Sequence, residues 1–275
     1  MDDLLWFGVL VQAFIVCIML AIGLQLLPRE MAGVLRDRNF LLRTLVINLI
    51  LIPFSVILLL YFFELPSSLS IAIVLIAAAP GAPFGPRIVE LTKGSLSHGV
   101  AAVLMLAGLS VVSGPLIVRW LLTQPGVEVV GTAGLILSLI AFQLLPIVLG
   151  IWLRRQRPRL SDRLVRPLHL SSNILIGIIA VFVILSYREQ LFSIGWENVG
   201  ILALITVGWT LFGWLFGGRD ARLRLTQGMV APARNLGMAF LMALSGYGDQ
   251  EVLLLLMIQG GMSLFLVPVL GRLYV

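Results

Sequence analysis

Nine apolar stretches of about 20 residues follow one another along the chain, and two of them are interrupted by proline. About 20 helical residues cross the hydrocarbon core of a bilayer. Inside that core every backbone N–H and C=O must find a partner within the protein, which leaves helices or closed barrels as the only spanning structures. The runs lie at about 4–26, 40–62, 67–92, 96–122, 129–153, 167–187, 197–217, 224–246 and 250–271. They are too long for barrel strands, so the chain is expected to be an all-α polytopic membrane protein with nine transmembrane helices. With 60% hydrophobic and 12% charged residues in 275, nothing remains for a soluble domain, and one membrane domain over 1–275 is expected. The start Met1-Asp2-Asp3 has no basic stretch ahead of its apolar run, so that run reads as a permanent helix. Cys17 is the single cysteine, which excludes an internal disulfide and a cysteine metal cluster.

The two interruptions are Ala82-Pro83-Phe84-Gly85-Pro86-Arg87 and Ala231-Pro232-Ala233-Arg234-Asn235. Each sets an arginine beside a broken apolar segment. An arginine at mid-bilayer costs about 2.5–3.5 kcal/mol on the insertion scale. A broken helix also frees backbone groups that are tolerated only in protein or against water. One such break in each half points to a binding site at mid-membrane, the pattern of secondary transporters.

The basic residues give the orientation. Arg29, Arg36, Arg38 and Arg43 follow the first run, Lys93 the third, and six arginines from Arg154 to Arg166 the fifth. Arg219, Arg222, Arg224 and Arg272 fall on the same side, against only Arg119 and Arg188 opposite. The expectation is an N-terminus outside and a C-terminus in the cytoplasm of a bacterial inner membrane. The net charge of +6 thus follows topology and implies no nucleic-acid partner. With that orientation the run holding Arg87 enters the membrane from outside and the run holding Arg234 from inside. Equivalent breaks of opposite direction are what inverted repeats produce, expected here over about 1–124 and 125–275. Pro115-Leu116-Ile117-Val118-Arg119 and Pro268-Val269-Leu270-Gly271-Arg272 echo the duplication.

Five short motifs in order resemble the bile acid:sodium symporter family over nearly the whole chain. They are Met19-Leu20-Ala21-Ile22-Gly23-Leu24, Asn48 through Pro53, Pro80-Gly81 through Lys93-Gly94, Leu145 through Gly150, and Arg234-Asn235-Leu236-Gly237-Met238-Ala239. The resemblance implies a core domain of spans two, three, four, seven, eight and nine, holding two crossed broken helices. Spans one, five and six would form a panel domain. The family commonly has ten spans, and this chain resembles members that lack the first.

The departures bear on the ion. Sodium, a hard cation, takes oxygen ligands. Where sodium-using members carry such side chains at the breaks and on the helix after the first, this chain has Gly85, Pro86, Gly99, Val103 and Val230, and Arg234 replaces a glutamine. A guanidinium there repels a cation by about 4 kcal/mol at 4 Å and an effective dielectric of 20. Sodium coupling is therefore expected to be lost, with arginine standing in for the ion's charge.

The expected function is transport of a small organic anion by alternating access, with no metal, no cofactor and no catalytic residue. Candidate substrate-binding residues are Arg234, Asn235, Arg87, Asn48 and Gln259, with helix N-termini at the breaks supplying further positive potential. Glu90 is a candidate proton carrier, although its place three residues after Arg87 equally suits a local ion pair. Gln143 and Asn173 are further polar residues inside apolar runs, where interhelical hydrogen bonding is the ordinary role. His98 and His169 sit near helix ends, and the six tryptophans suit interface anchoring. Two alternatives stand beside this reading. One is a receptor or scaffold derived from a transporter, and the other an exporter of another fold resembling auxin or arsenite carriers. An intramembrane enzyme would need a nucleophile with its base, or several metal ligands, at depth, and the chain has none. The oligomeric state is left open.

Overall fold

The computed structural model describes residues 2–25, 34, 36–122, 132–189, 194–247 and 249–273. In chain order its helices are α1 (Asp2–Gln25), α2 (Arg38–Phe62), α3 (Ser67–Ala77), α4 (Gly85–Leu91), α5 (Leu96–Leu122) and α6 (Thr132–Gln156). Then come α7 (Pro158–Ser186), α8 (Trp196–Phe216), α9 (Ala221–Val230), α10 (Leu236–Met242) and α11 (Gln250–Leu273). The described residues form no strand, and seven of these helices are long and apolar enough to cross a membrane. The other four are the halves of the two interrupted segments. Arg29, Glu128 and the expected start of the fifth run at 129–131 lie outside the described residues.

Two long helices are locally widened. In α2 a π-turn runs Val46–Leu51, and in α6 another runs Ile140–Leu144. Each is followed at once by a resumed α-helix with a proline in its first turn, Pro53 or Pro146. Proline lacks the N–H for the ordinary i→i−4 bond and its ring crowds the carbonyl one turn back. An extra residue in the turn relieves both, and such π-bulges concentrate at functional sites. Asn48 and Gln143 sit in these two turns, and both are fully buried.

Packing divides the helices into two groups. α1, α6 and α7 pack on one another. α1 and α6 touch through their backbones at Gly23 and Gly150, where a Cβ on Gly150 would lie 2.7 Å from the Leu20 carbonyl oxygen. The remaining helices pack among themselves, with α9 against α4, α5 and α8, and α11 against α3 and α8. The interrupted segments lie deepest, since residues 72–82 and 225–243 are buried without exception. Leu170, Ile174, Ile178, Val181 and Leu185 of α7 are exposed, an apolar belt suited to lipid. Asn173 is exposed on that helix rather than turned inward.

One expectation needs correction. The arginine-rich stretch after the fifth run was read as a loop up to 167, yet α7 begins at Pro158. Hydropathy marks where a helix leaves lipid, not where it ends. The chain turns at Arg157, and the polar first turns continue the helix into water, held by an Arg154–Asp162 ion pair. Within them Ser161 is buried.

Candidate functional site: the crossing of the two broken helices

The first break runs from Ala78 to Phe84 and the second from Ala231 to Asn235, and the two cross in contact. Pro80 and Arg234 form an isolated antiparallel bridge, and the Asn235 N–H donates to the Ala79 carbonyl at 2.8 Å. Small side chains make this approach possible: the first break reads Ala77-Ala78-Ala79-Pro80-Gly81-Ala82. Gly81 adopts φ +88°, and a Cβ there would stand 2.7 Å from the Ala107 backbone nitrogen. Each break thereby satisfies backbone groups that the other frees, which is how non-helical backbone survives at membrane depth.

The bridge also decides where the side chains go. In extended backbone, successive side chains point to opposite sides. Arg234 and its neighbour Asn235 accordingly take partners on different helices. The Arg234 guanidinium donates from Nη1 to Asn48 Oδ1 at 3.1 Å and stands over the Trp209 ring, 4.9 Å from its centroid. Asn48 is held by its own donation to the Thr44 carbonyl, and Trp209 donates from Nε1 to Ser55 Oγ at 3.1 Å. Arg234 is 1% exposed, no described carboxylate pairs with it, and its Nε and Nη2 are buried without a partner. Asn235 turns the other way. Its Nδ2 donates to Gln143 Oε1 at 2.9 Å, and its Oδ1 accepts from the Met238 N–H at 3.1 Å.

That last bond revises an expectation. The start of α10 was to offer free N–H groups to a substrate. Asn235 itself caps that end, so the guanidinium, not the helix terminus, supplies the uncommitted donors. Around it lie further buried amides. Gln227 donates to Thr44 Oγ1 at 2.5 Å and Gln259 to Thr206 Oγ1 at 2.9 Å, while the Oε1 of each is buried and unpartnered. Gln259 therefore reaches the site through α8, on whose next turn Trp209 lies.

Arg87 and Glu90 lie apart from this network. Arg87 bonds to Glu90 one turn on, and their side chains are 68% and 49% exposed. The structure thus brings Arg234, Asn48 and, one helix away, Gln259 into one buried region, puts Asn235 on its far side, and leaves Arg87 and Glu90 at the surface. His98 engages Ser95 and Asp37 near the start of α5, and His169 engages Gln25. Trp209 is the residue that sequence reasoning misplaced: it was grouped with interface anchors, but it is 3% exposed beneath the guanidinium. Gln143 was noticed only as a polar residue in an apolar run, and its signal was its place just ahead of Pro146.

The positions expected to lack ion ligands are packed with carbon. Val103 and Val230 are buried, and a Cβ on Gly85 would meet Val103 Cγ2 at 3.0 Å. A Cβ on Gly99 would meet Val89 at 3.1 Å. Among the described residues no cluster of histidine, cysteine, aspartate or glutamate could hold a metal ion. The family model described as the sodium bile acid symporter family matches residues 12–194, covering the first break but ending before the second. No curated protein matches the chain.

Proposed function

Because the chain belongs to the sodium bile acid symporter family, we propose that it carries a small organic anion across the membrane by alternating access, without sodium. Membership and the apolar helices make it a multi-pass membrane transporter rather than an enzyme. The observation that carries the finer reading is Arg234, a buried cation with two uncommitted donor nitrogens and no counter-charge among the described residues. A buried charge is ordinarily paired, and a bound carboxylate or similar group supplies the missing partner in bidentate form.

In this reading the interrupted segments are spans, making nine. The α3–α4 segment with α5 and the α9–α10 segment with α11 are the counterparts of an inverted repeat. The group α1, α6 and α7 acts as the panel and the rest as the core, with the N-terminus outside a bacterial inner membrane. Apolar packing at Val103, Val230, Gly85 and Gly99 supports the loss of sodium ligands. Arg234, anchored on Asn48 inside the core, takes the place of the ion's positive charge.

The test is a thermal-shift screen of organic acids on detergent-purified protein, in sodium and in choline buffer. At least one acid should stabilise the wild type equally in both, and Arg234→Gln should weaken its binding about tenfold, about 1.4 kcal/mol. A sodium-specific gain in affinity above about tenfold would sink the reading. Unfolding of Arg234→Gln would make the arginine a structural clamp and remove it from the binding site.

A further inference from the structure

Gln143 lies in the π-turn of α6, in the group α1, α6 and α7, yet every side chain or backbone group it bonds belongs to the other group. Its Nε2 donates to the Ala107 carbonyl at 2.6 Å and to Ser110 Oγ at 3.2 Å, both on α5. Its Oε1 accepts from Asn235 at the second break. Three hydrogen bonds between the two helix groups thus pass through this one amide. Gln25 and His169 bond within the first group, and Arg234 with Asn48 and Gln259 with Thr206 bond within the second. The two groups also meet through apolar contacts, such as Gly237 against Ile15 and Phe7 against Phe240. Apolar surfaces slide past one another with little directional penalty. A hydrogen bond does not: it weakens steeply outside about 2.7–3.2 Å.

We infer that Gln143 is a positioning residue that latches the two helix groups together while Arg234 is enclosed, and that its release accompanies opening of the cleft between them. This rests on the alternating-access reading, in which one group moves against the other. A displacement by one helical turn, about 5.4 Å, is more than the side chain can follow and breaks all three bonds together. It also turns the Gln143 amide, Asn235 Nδ2 and the Ala107 carbonyl toward the opened space. Those groups require water or polar groups of a solute there, so the latch becomes the polar wall of the open cleft on the side facing α6. The π-turn makes the arrangement possible, since it aims one amide into a neighbouring helix pair from an otherwise apolar run.

The experiment needs no transported solute. Val111→Cys in a Cys17→Ser background places one thiol next to the latch partner Ser110, buried in the closed arrangement. The full chain is reconstituted in liposomes, and its reaction with a membrane-impermeant methanethiosulfonate is timed. Gln143→Leu keeps the bulk and removes all three bonds, so labelling should quicken at least about tenfold, the low end for losing three buried hydrogen bonds. A rate within about twofold of the Gln143 protein overturns the proposal. Gln143→Glu provides the second arm, decisive on its own if the leucine variant does not fold. Ionised, it sets an oxygen against the Ala107 carbonyl, whereas protonated it donates there as the amide does. Relative to Gln143 at the same pH, its labelling should be faster at pH about 9.5 than at pH about 5, the span over which a buried carboxyl ionises. An identical ratio at both overturns the latch. Both arms read opening alone, so failure of anion binding to Arg234 leaves their outcome unchanged.

Discussion

The two breaks share a backbone device and differ in everything their side chains do. The first holds its shape through small residues and one glycine at φ +88°, and its arginine stands at the surface beside Glu90. The second has no glycine between Ala231 and Asn235. It is held by side chains: Asn235 caps the following helix and bonds Gln143, and Arg234 runs inward to Asn48 and Trp209. A crossing of broken helices thus needs one side compact enough to be approached closely. That leaves the other free to carry the polar groups, so the site is asymmetric even though the crossing is mutual.

Substitutions that treat the two sides differently test this division, beginning with the largest effect. Gly81→Ala combines an unfavourable φ with a clash against the α5 backbone and should cost about 3 kcal/mol, read as a lowered thermal midpoint. The same change at Gly108, where a Cβ meets nothing within 4 Å, should leave the midpoint unchanged. If the two glycine variants melt together, the first break is not held by its backbone. On the other side, Asn235→Ala removes a helix cap and a buried bond and should cost about 2 kcal/mol. Retention of the wild-type midpoint would mean that side chains do not hold the second break.

Charge separates the breaks further. Arg234→Lys should recover only part of the anion affinity lost in Arg234→Gln, because an ammonium lacks the planar fork; full recovery would reduce the site to a point charge. Arg87→Gln, at an exposed pair, should change stability by less than about 0.5 kcal/mol and leave anion binding intact. A loss of binding equal to that of Arg234→Gln would return Arg87 to the site. The orientation has its own check. The exposed Gln156, as Gln156→Cys, should react only with a reagent supplied from the cytoplasmic side, and the buried Ser161 is a poor substitute.

Much of the architecture was legible because lipid imposes it. Apolar runs of spanning length located the helices, the proline and arginine clusters Pro83 to Arg87 and Pro232 to Arg234 located the breaks, and the family motifs lie on those elements. The arginine at each break was equally visible, but its direction was not. Whether a side chain near a break points inward depends on the local backbone. Arg87 lies within the helix after its break, one turn from Glu90, while Arg234 lies in the extended crossing itself. The same alternation splits Arg234 from Asn235, a pair that adjacency in sequence made look like one site. Trp209 escaped notice because nothing near it in sequence distinguishes a tryptophan facing a guanidinium beyond the next helix from one facing lipid. The extent of α7 was missed because the helix outlasts its apolar stretch.

The π-turns at Val46–Leu51 and Ile140–Leu144 carry a consequence for how such a chain tolerates change in length. A π-turn is an α-helix with one residue too many. Excising any single residue from either turn would restore regular winding and preserve every apolar side chain but one. It would also leave the rest of that helix facing nearly as before, since the wide turn absorbs its extra residue locally, and would withdraw only the side chains that the turn presents. Asn48 would then lose Arg234, or Gln143 its place between α5 and the second break. For these two short segments the number of residues matters more than their identity, so their length should drift less over time than their sequence.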